Sequence, residues 1–143
     1  LKHIVIDASV VLKWYLVDEE FSKKALKILE NYVSDKLNLT APALLEYEVA
    51  NGLIIAKRKG RVDDPTALKA LNGFEALNIE LIPLSTLNPK VVHHCNTYSI
   101  TAYDASYLSL AENLDIPLVT ADKKLYNSLK KIKRVKWLGD VSL

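Results

Sequence analysis

The spacing of apolar positions divides the chain into short unbroken runs and longer periodic segments. Ile4-Val5-Ile6 is an apolar run that ends at Asp7, as a strand buried on both faces does. Residues 8–16 predict a helix and 18–35 an amphipathic one, with Phe21, Ala25, Ile28, Leu29 and Tyr32 recurring at helical intervals. Residues 37–41 read as a second strand. Pro42 is expected to stop it and to open the next helix, where a missing N–H costs nothing. That helix runs to about 59 and ends at Gly60. Asp64-Pro65 starts another, through 77. Residues 79–84 predict a third strand, which Pro83 places near an edge. Helices over 89–98 and 101–113, a strand over 117–120, a helix over 121–131 and a strand over 135–137 complete the order. Such alternation predicts an α/β fold, a parallel sheet with helices on both faces.

Composition adds limits. A chain of 143 residues is expected to form one domain, 1–143. Half the residues are hydrophobic, yet no apolar run approaches the ~20 residues of a membrane span. Leu1-Lys2-His3 leads into the first strand without a leader pattern, and the absence of methionine suggests a processed or trimmed start. The single cysteine, Cys95, fits a reducing, cytoplasmic setting. The lack of Met and Gln beside abundant Lys matches a trend among hyperthermophile proteins. A net charge of +2 says little about partners. Basic residues do cluster, at Lys57, Arg58, Lys59 and Arg61 and at Lys123, Lys124, Lys130, Lys131, Lys133, Arg134 and Lys136. Either cluster is a solvated face or a phosphate contact.

The candidate chemistry lies in four acids: Asp7, Glu48, Asp104 and Asp122. Asp7 and Asp122 each follow a strand, where α/β folds place ligand chemistry, although either could be a helix N-cap. On a helical wheel, Glu48 lies within about 60° of Leu44, Leu45, Gly52 and Ile55, with Asn51 on the same face. A carboxylate on an apolar face needs a partner, and a metal ion suits it better than the arginines, all in polar surroundings. Asp104 heads a face holding Tyr107, Leu108 and Ala111, and is also placed to complete a capping box begun by Thr101. Thr120, two residues before Asp122, could hydrogen-bond a carboxylate or a water, and Ser9 lies at the same distance from Asp7, on its C-terminal side. Gathered carboxylates resist ionising together unless a hard cation joins them. Oxygen donors without Cys or His point to Mg²⁺ or Mn²⁺, and such sites usually act on phosphate esters.

The segments Val5-Ile6-Asp7-Ala8-Ser9, Tyr47-Glu48-Val49-Ala50-Asn51-Gly52-Leu53, Tyr103-Asp104-Ala105-Ser106-Tyr107-Leu108-Ser109-Leu110-Ala111 and Val119-Thr120-Ala121-Asp122-Lys123-Lys124-Leu125 together resemble the PIN domain. More narrowly, they are similar to the VapC-type toxins of toxin–antitoxin pairs. The resemblance implies a three-layer α/β/α sandwich, Mg²⁺- or Mn²⁺-dependent endoribonuclease activity and homodimerisation. It also implies inhibition by a small antitoxin that inserts a C-terminal segment into the cleft. By position, Asp7, Glu48, Asp104 and Asp122 match the family's acidic quartet, Thr120 its hydroxyl position and Asn51 its helix asparagine. Asp7 and Asp104 are expected to ligate the ion most directly. Glu48 and Asp122 would hold it through water, or bind a second ion and orient the attacking water. The analogous reaction is hydrolysis of an RNA phosphodiester, leaving 3′-hydroxyl and 5′-phosphate ends.

Other features carry less. His93-His94-Cys95 cannot converge on one ion from a helix, because neighbouring side chains diverge by about 100°. Trp14, Tyr15 and Trp137 could stack on bases but more often pack in a core or a dimer contact. Lys13 is expected to face solvent or to reach a phosphate. A haloacid-dehalogenase-like phosphatase would need an acid where Ser9 stands, and a phosphoacceptor domain would need an Asp ending a central strand near mid-chain. The remaining alternatives are a solitary PIN nuclease and a PIN-like module that only binds RNA or protein.

Overall fold

A computed structural model describes residues 2–143. The first half of the chain runs β1 (His3–Ile6), α1 (Ala8–Tyr15), α2 (Ser22–Val33), β2 (Asn38–Pro42), α3 (Leu45–Arg58), α4 (Asp64–Ala76) and β3 (Glu80–Ile82). After a 3₁₀ turn at Leu84–Thr86 come α5 (Asn88–Tyr98), α6 (Ala102–Leu114), β4 (Leu118–Thr120), α7 (Lys123–Leu129), β5 (Val135–Trp137) and a second 3₁₀ turn at Leu138–Asp140. All strand pairs are parallel, in the order β3-β2-β1-β4-β5. The parallel sheet is the one that the alternation of strands and helices predicts, and the whole is the α/β/α sandwich that the resemblance implies. Among the described residues, no helix is long and apolar enough to cross a membrane.

The sheet order fixes where the helices go. From β1 the chain steps outward through β2 to β3; it then crosses back to β4 and continues to β5. Right-handed crossovers put α1–α4 on one face and α5–α7 on the other. Contacts of α1 with α2 and α3, and of α6 with β1, β2 and β4, follow this division. The order reverses between β1 and β4, the place where open α/β sheets bind ligands. Ile4, Val5, Ile6, Leu118 and Val119 are fully buried there, which accounts for the unbroken apolar runs. On the second face α6 lies between the sheet and α5, so every residue from Ala105 to Ala111 is buried.

Two predicted boundaries differ. Pro42 does not open α3; it is the last residue of β2, opposite Ile82, and the Ala43 N–H donates to the Ile82 carbonyl at 2.8 Å. An edge pairing that continues past the proline delays the helix to Leu45. The helix expected from 18 begins only at Ser22, because Phe21 adopts a left-handed conformation with φ 63°. Its ring meets Trp137 edge-on at 6.0 Å, while Asp18 and Glu19 are drawn to Arg61 at 2.9 Å each. Tertiary partners thus replace the first helical turn.

Candidate active site

Four helices begin at the carboxyl edge of the sheet, and each contributes one acid. Asp7 is the N-cap of α1, Glu48 and Asp104 lie in the first turns of α3 and α6, and Asp122 is the N-cap of α7. Helix starts carry partial positive charge and unpaired N–H groups, so carboxylates are favoured there. Capping and site chemistry are therefore not competing readings at Asp7 and Asp122. One carboxylate does both.

Asp7 is 5% exposed and closely held. Its Oδ1 accepts from the Ser9 backbone N–H at 3.0 Å and the Ser9 hydroxyl at 2.5 Å, and its Oδ2 accepts from Thr120 Oγ1 at 2.5 Å. Thr120 Oγ1 in turn accepts from the Asp122 N–H at 3.0 Å, and Ser9 Oγ accepts from the Ala121 N–H at 2.8 Å. The parallel register Ile6↔Val119 sets Asp7 beside Thr120 and makes this network possible. Burial pushes the Asp7 carboxyl up to about 6; repulsion from Asp122 adds to the rise, and the Ser9 and Thr120 hydrogen bonds oppose it.

Glu48 reaches the site from the other side. The buried stripe of α3 is Leu45, Val49, Leu53 and Ala56, centred about 90° from Glu48 by helical geometry. Ile55, grouped with Glu48 on the wheel, is 42% exposed. Glu48 thus stands at the margin of the core, where its Oε1 accepts from the Tyr107 hydroxyl at 2.5 Å. Partial burial raises its pKa, with Tyr107 lowering it and the charges of Asp104 and Asp122 raising it further. Asp104 is likewise raised by burial and by Asp122, while Lys124 pulls it down. Tyr107, 1% exposed, is pushed well up by burial and by the negative charges of Glu48, Asp7 and Asp104. These mutual repulsions place the four acids in one neighbourhood.

The donor set suits a hard divalent cation. Glu48 Oε2, Asp122 Oδ2 and both Asp104 oxygens accept no hydrogen bond from the described residues, and Asp7 Oδ2 accepts only one. Oxygen donors that repel one another want such an ion. As the side chains stand, however, no three His, Cys, Asp or Glu among the described residues are positioned to hold a metal. Each carboxylate for which a hydrogen bond is seen turns at least one oxygen to a protein donor: Ser9 and Thr120, Tyr107, or the first amides of α7.

Other singled-out residues find ordinary places. Trp14 is buried with its indole N–H donating to the Ala25 carbonyl at 2.8 Å, and Trp137 packs between Phe21 and Tyr126. Lys13 neither faces solvent nor reaches outward; it is 8% exposed and pairs with Glu19 at 3.4 Å. Lys57 and Arg61 are paired with Asp64 and with Asp18 and Glu19, so that basic cluster is partly spent within the chain. His94 turns inward, Nε2 2.6 Å from Glu112, whereas His93 faces outward near Thr97. Asn51 is exposed, one turn beyond Glu48. Sequence reasoning missed Tyr107 as the partner of Glu48, a pairing across 59 residues that no local pattern signals.

A family model, the PIN domain, matches residues 4–131. Ribonuclease VapC9 of Mycobacterium tuberculosis is 31% identical over 122 residues, covering 85% of this chain and 87% of that one. Ribonuclease VapC3 of Pyrobaculum aerophilum is 32% identical over 126 residues, covering 85% and 91%. The crystal structure of PAE2754 from Pyrobaculum aerophilum superposes with a TM-score of 0.66 at 27% identity, covering 96% of this chain and 92% of that one.

Proposed function

Since the chain belongs to the PIN-domain family and is of the VapC type, we propose that it is a divalent-metal-dependent endoribonuclease, the toxin of a toxin–antitoxin pair. The observation that carries this reading is the set of acids from four helix starts, charged against one another at the reversal of strand order. The relatives' names supply the substrate class, RNA. The chain works as one nuclease domain, as a homodimer in the cytoplasm.

Asp7 and Asp104 would hold Mg²⁺ or Mn²⁺ most directly, and Glu48 and Asp122 would complete the site through water or a second ion. The ion, when bound, neutralises charge on the phosphate and lowers the pKa of water. The chain's own part is to position. Thr120 and Ser9 fix the Asp7 carboxylate, Tyr107 fixes Glu48, and the first amides of α7 orient Asp122. Lys124, near enough to Asp104 to lower its pKa, offers a cation to the RNA backbone.

The test is cleavage of single-stranded RNA by the purified chain with Mg²⁺, Mn²⁺ or EDTA. Products with 3′-hydroxyl and 5′-phosphate ends, lost in EDTA and in Asp104→Asn, are expected. Cleavage that survives EDTA or that substitution refutes the metal site. The toxin role predicts that the product of a short adjacent reading frame binds the chain and suppresses cleavage. Without such an inhibitor, the solitary-nuclease alternative stands.

A further inference from the structure

Each of two quartet acids is immediately preceded by a tyrosine: Tyr47-Glu48 on α3 and Tyr103-Asp104 on α6. Consecutive helical side chains diverge by about 100°. Where the acid turns toward the site, its tyrosine is turned to the outer wall. Tyr47 is 81% exposed and Tyr103 64%. Neither phenol has a hydrogen-bond partner among the described residues, in contrast to Tyr107 and Tyr32, which are both engaged. The two rings border a cavity of about 430 Å³ whose other lining residues are Leu44, Glu48 and Asn51.

That lining matches a nucleobase. Aromatic faces exposed to water accept a stacked base of any identity, and a carboxamide presents a donor and an acceptor together, as base edges require. The volume lies within the usual range for small-ligand sites, about 300–1,000 Å³. Glu48 forms part of the wall, so the cavity opens beside the acids. We propose that this cavity is a nucleobase subsite: Tyr47 and Tyr103 stack a base of the RNA strand beside the scissile phosphate, and Asn51 contacts its edge. The inference rests on the ribonuclease reading for its substrate class. An apolar groove of Pro42, Ala43, Ile82, Leu84 and Leu87 adjoins the cavity through Leu44 and Tyr103. It lacks the aromatic pair and the amide, and so suits an apolar protein segment better than a base.

Binding of a fluorescent single-stranded RNA is measured by anisotropy with Asp104→Asn as parent, alone or carrying Tyr47→Ala, Tyr103→Ala, Tyr47→Phe or Tyr103→Phe. Each alanine variant is expected to raise Kd about 10-fold, the phenylalanine variants to stay within about twofold, and thermal midpoints to hold, since both side chains are exposed. In the cleaving protein, the same alanine substitutions are expected to raise KM with little change in kcat. An RNA abasic beside the cut bond should show a similar rise with the wild type and no further rise with the alanine variants. Unchanged RNA affinity in both alanine variants overturns the inference and leaves the cavity to protein contact. No RNA binding by the parent overturns it as well. Tyrosine-dependent binding without cleavage by the wild type sinks the nuclease reading and leaves the base subsite intact.

Discussion

The pH dependence of stability gives the sharpest test of the buried carboxylate. Asp7 has a folded-state pKa of about 6 against an ordinary 3.8, so the folded chain holds this proton more tightly than the unfolded one. Its contribution is full below pH ~4 and is lost as pH rises through ~6. The gap, at about 1.4 kcal/mol per pH unit, amounts to about 3 kcal/mol. Asp7→Asn carries no proton to lose. Urea unfolding of both proteins in EDTA from pH 4 to 8 should therefore show the variant gaining about 3 kcal/mol on the wild type across that window. The fixed cost of placing an amide against Ser9 and Thr120 offsets the two curves without tilting their difference. Glu48 and Asp104, also raised, contribute the same sign to both proteins and largely cancel. If the proposed site binds Mg²⁺ or Mn²⁺, the added ion should compete with the proton and restore about 2.7 kcal/mol to the wild type at one hundred times its Kd. A wild-type-minus-variant difference that stays flat from pH 4 to 8 would refute the raised pKa of Asp7.

Asp104→Ala in EDTA should leave the thermal midpoint unchanged or higher, because it removes a charge that repels Glu48 and Asp122; a loss of about 1 kcal/mol would mark the residue as structural instead. Thr120→Val keeps the volume but removes the donor to Asp7 and the acceptor for the Asp122 N–H, which should cost about 1–3 kcal/mol in denaturant unfolding at neutral pH. Tyr107→Phe leaves the α6 packing in place and frees Glu48; a loss of about 1 kcal/mol and a fall in cleavage rate are expected, with an unchanged rate showing that Glu48 needs no anchor.

Much of this was legible in the chain because the site is built locally. An apolar run ending in Asp7, and another ending in Thr120 just before Asp122, announce strand ends where helices begin. Glu48 and Asp104 each sit in a first turn beside apolar residues. What stayed hidden depends on tertiary partners. Nothing near Phe21 signals that Trp137 and Arg61 will unwind its turn. Nothing near Pro42 signals that the strand continues through it to pair with β3. Lys13 lies on a helix face that only the position of Glu19 closes off. Tyr47 and Tyr103 carry no local mark of the wall they form; only the fold sets them together, open to solvent.

The β1–β4 junction has one more consequence. Among the described residues it is the only place in the sheet where the first half of the chain, through β3, is hydrogen-bonded strand to strand with the second. Thr120 to Asp7 and Ser9 to Ala121 are rivets across that seam. A ligand bridging the two sides would clamp the halves together. Amide exchange in β1 and β4 should then slow on loading by more than exchange in the edge strands, making the seam a gauge of occupancy.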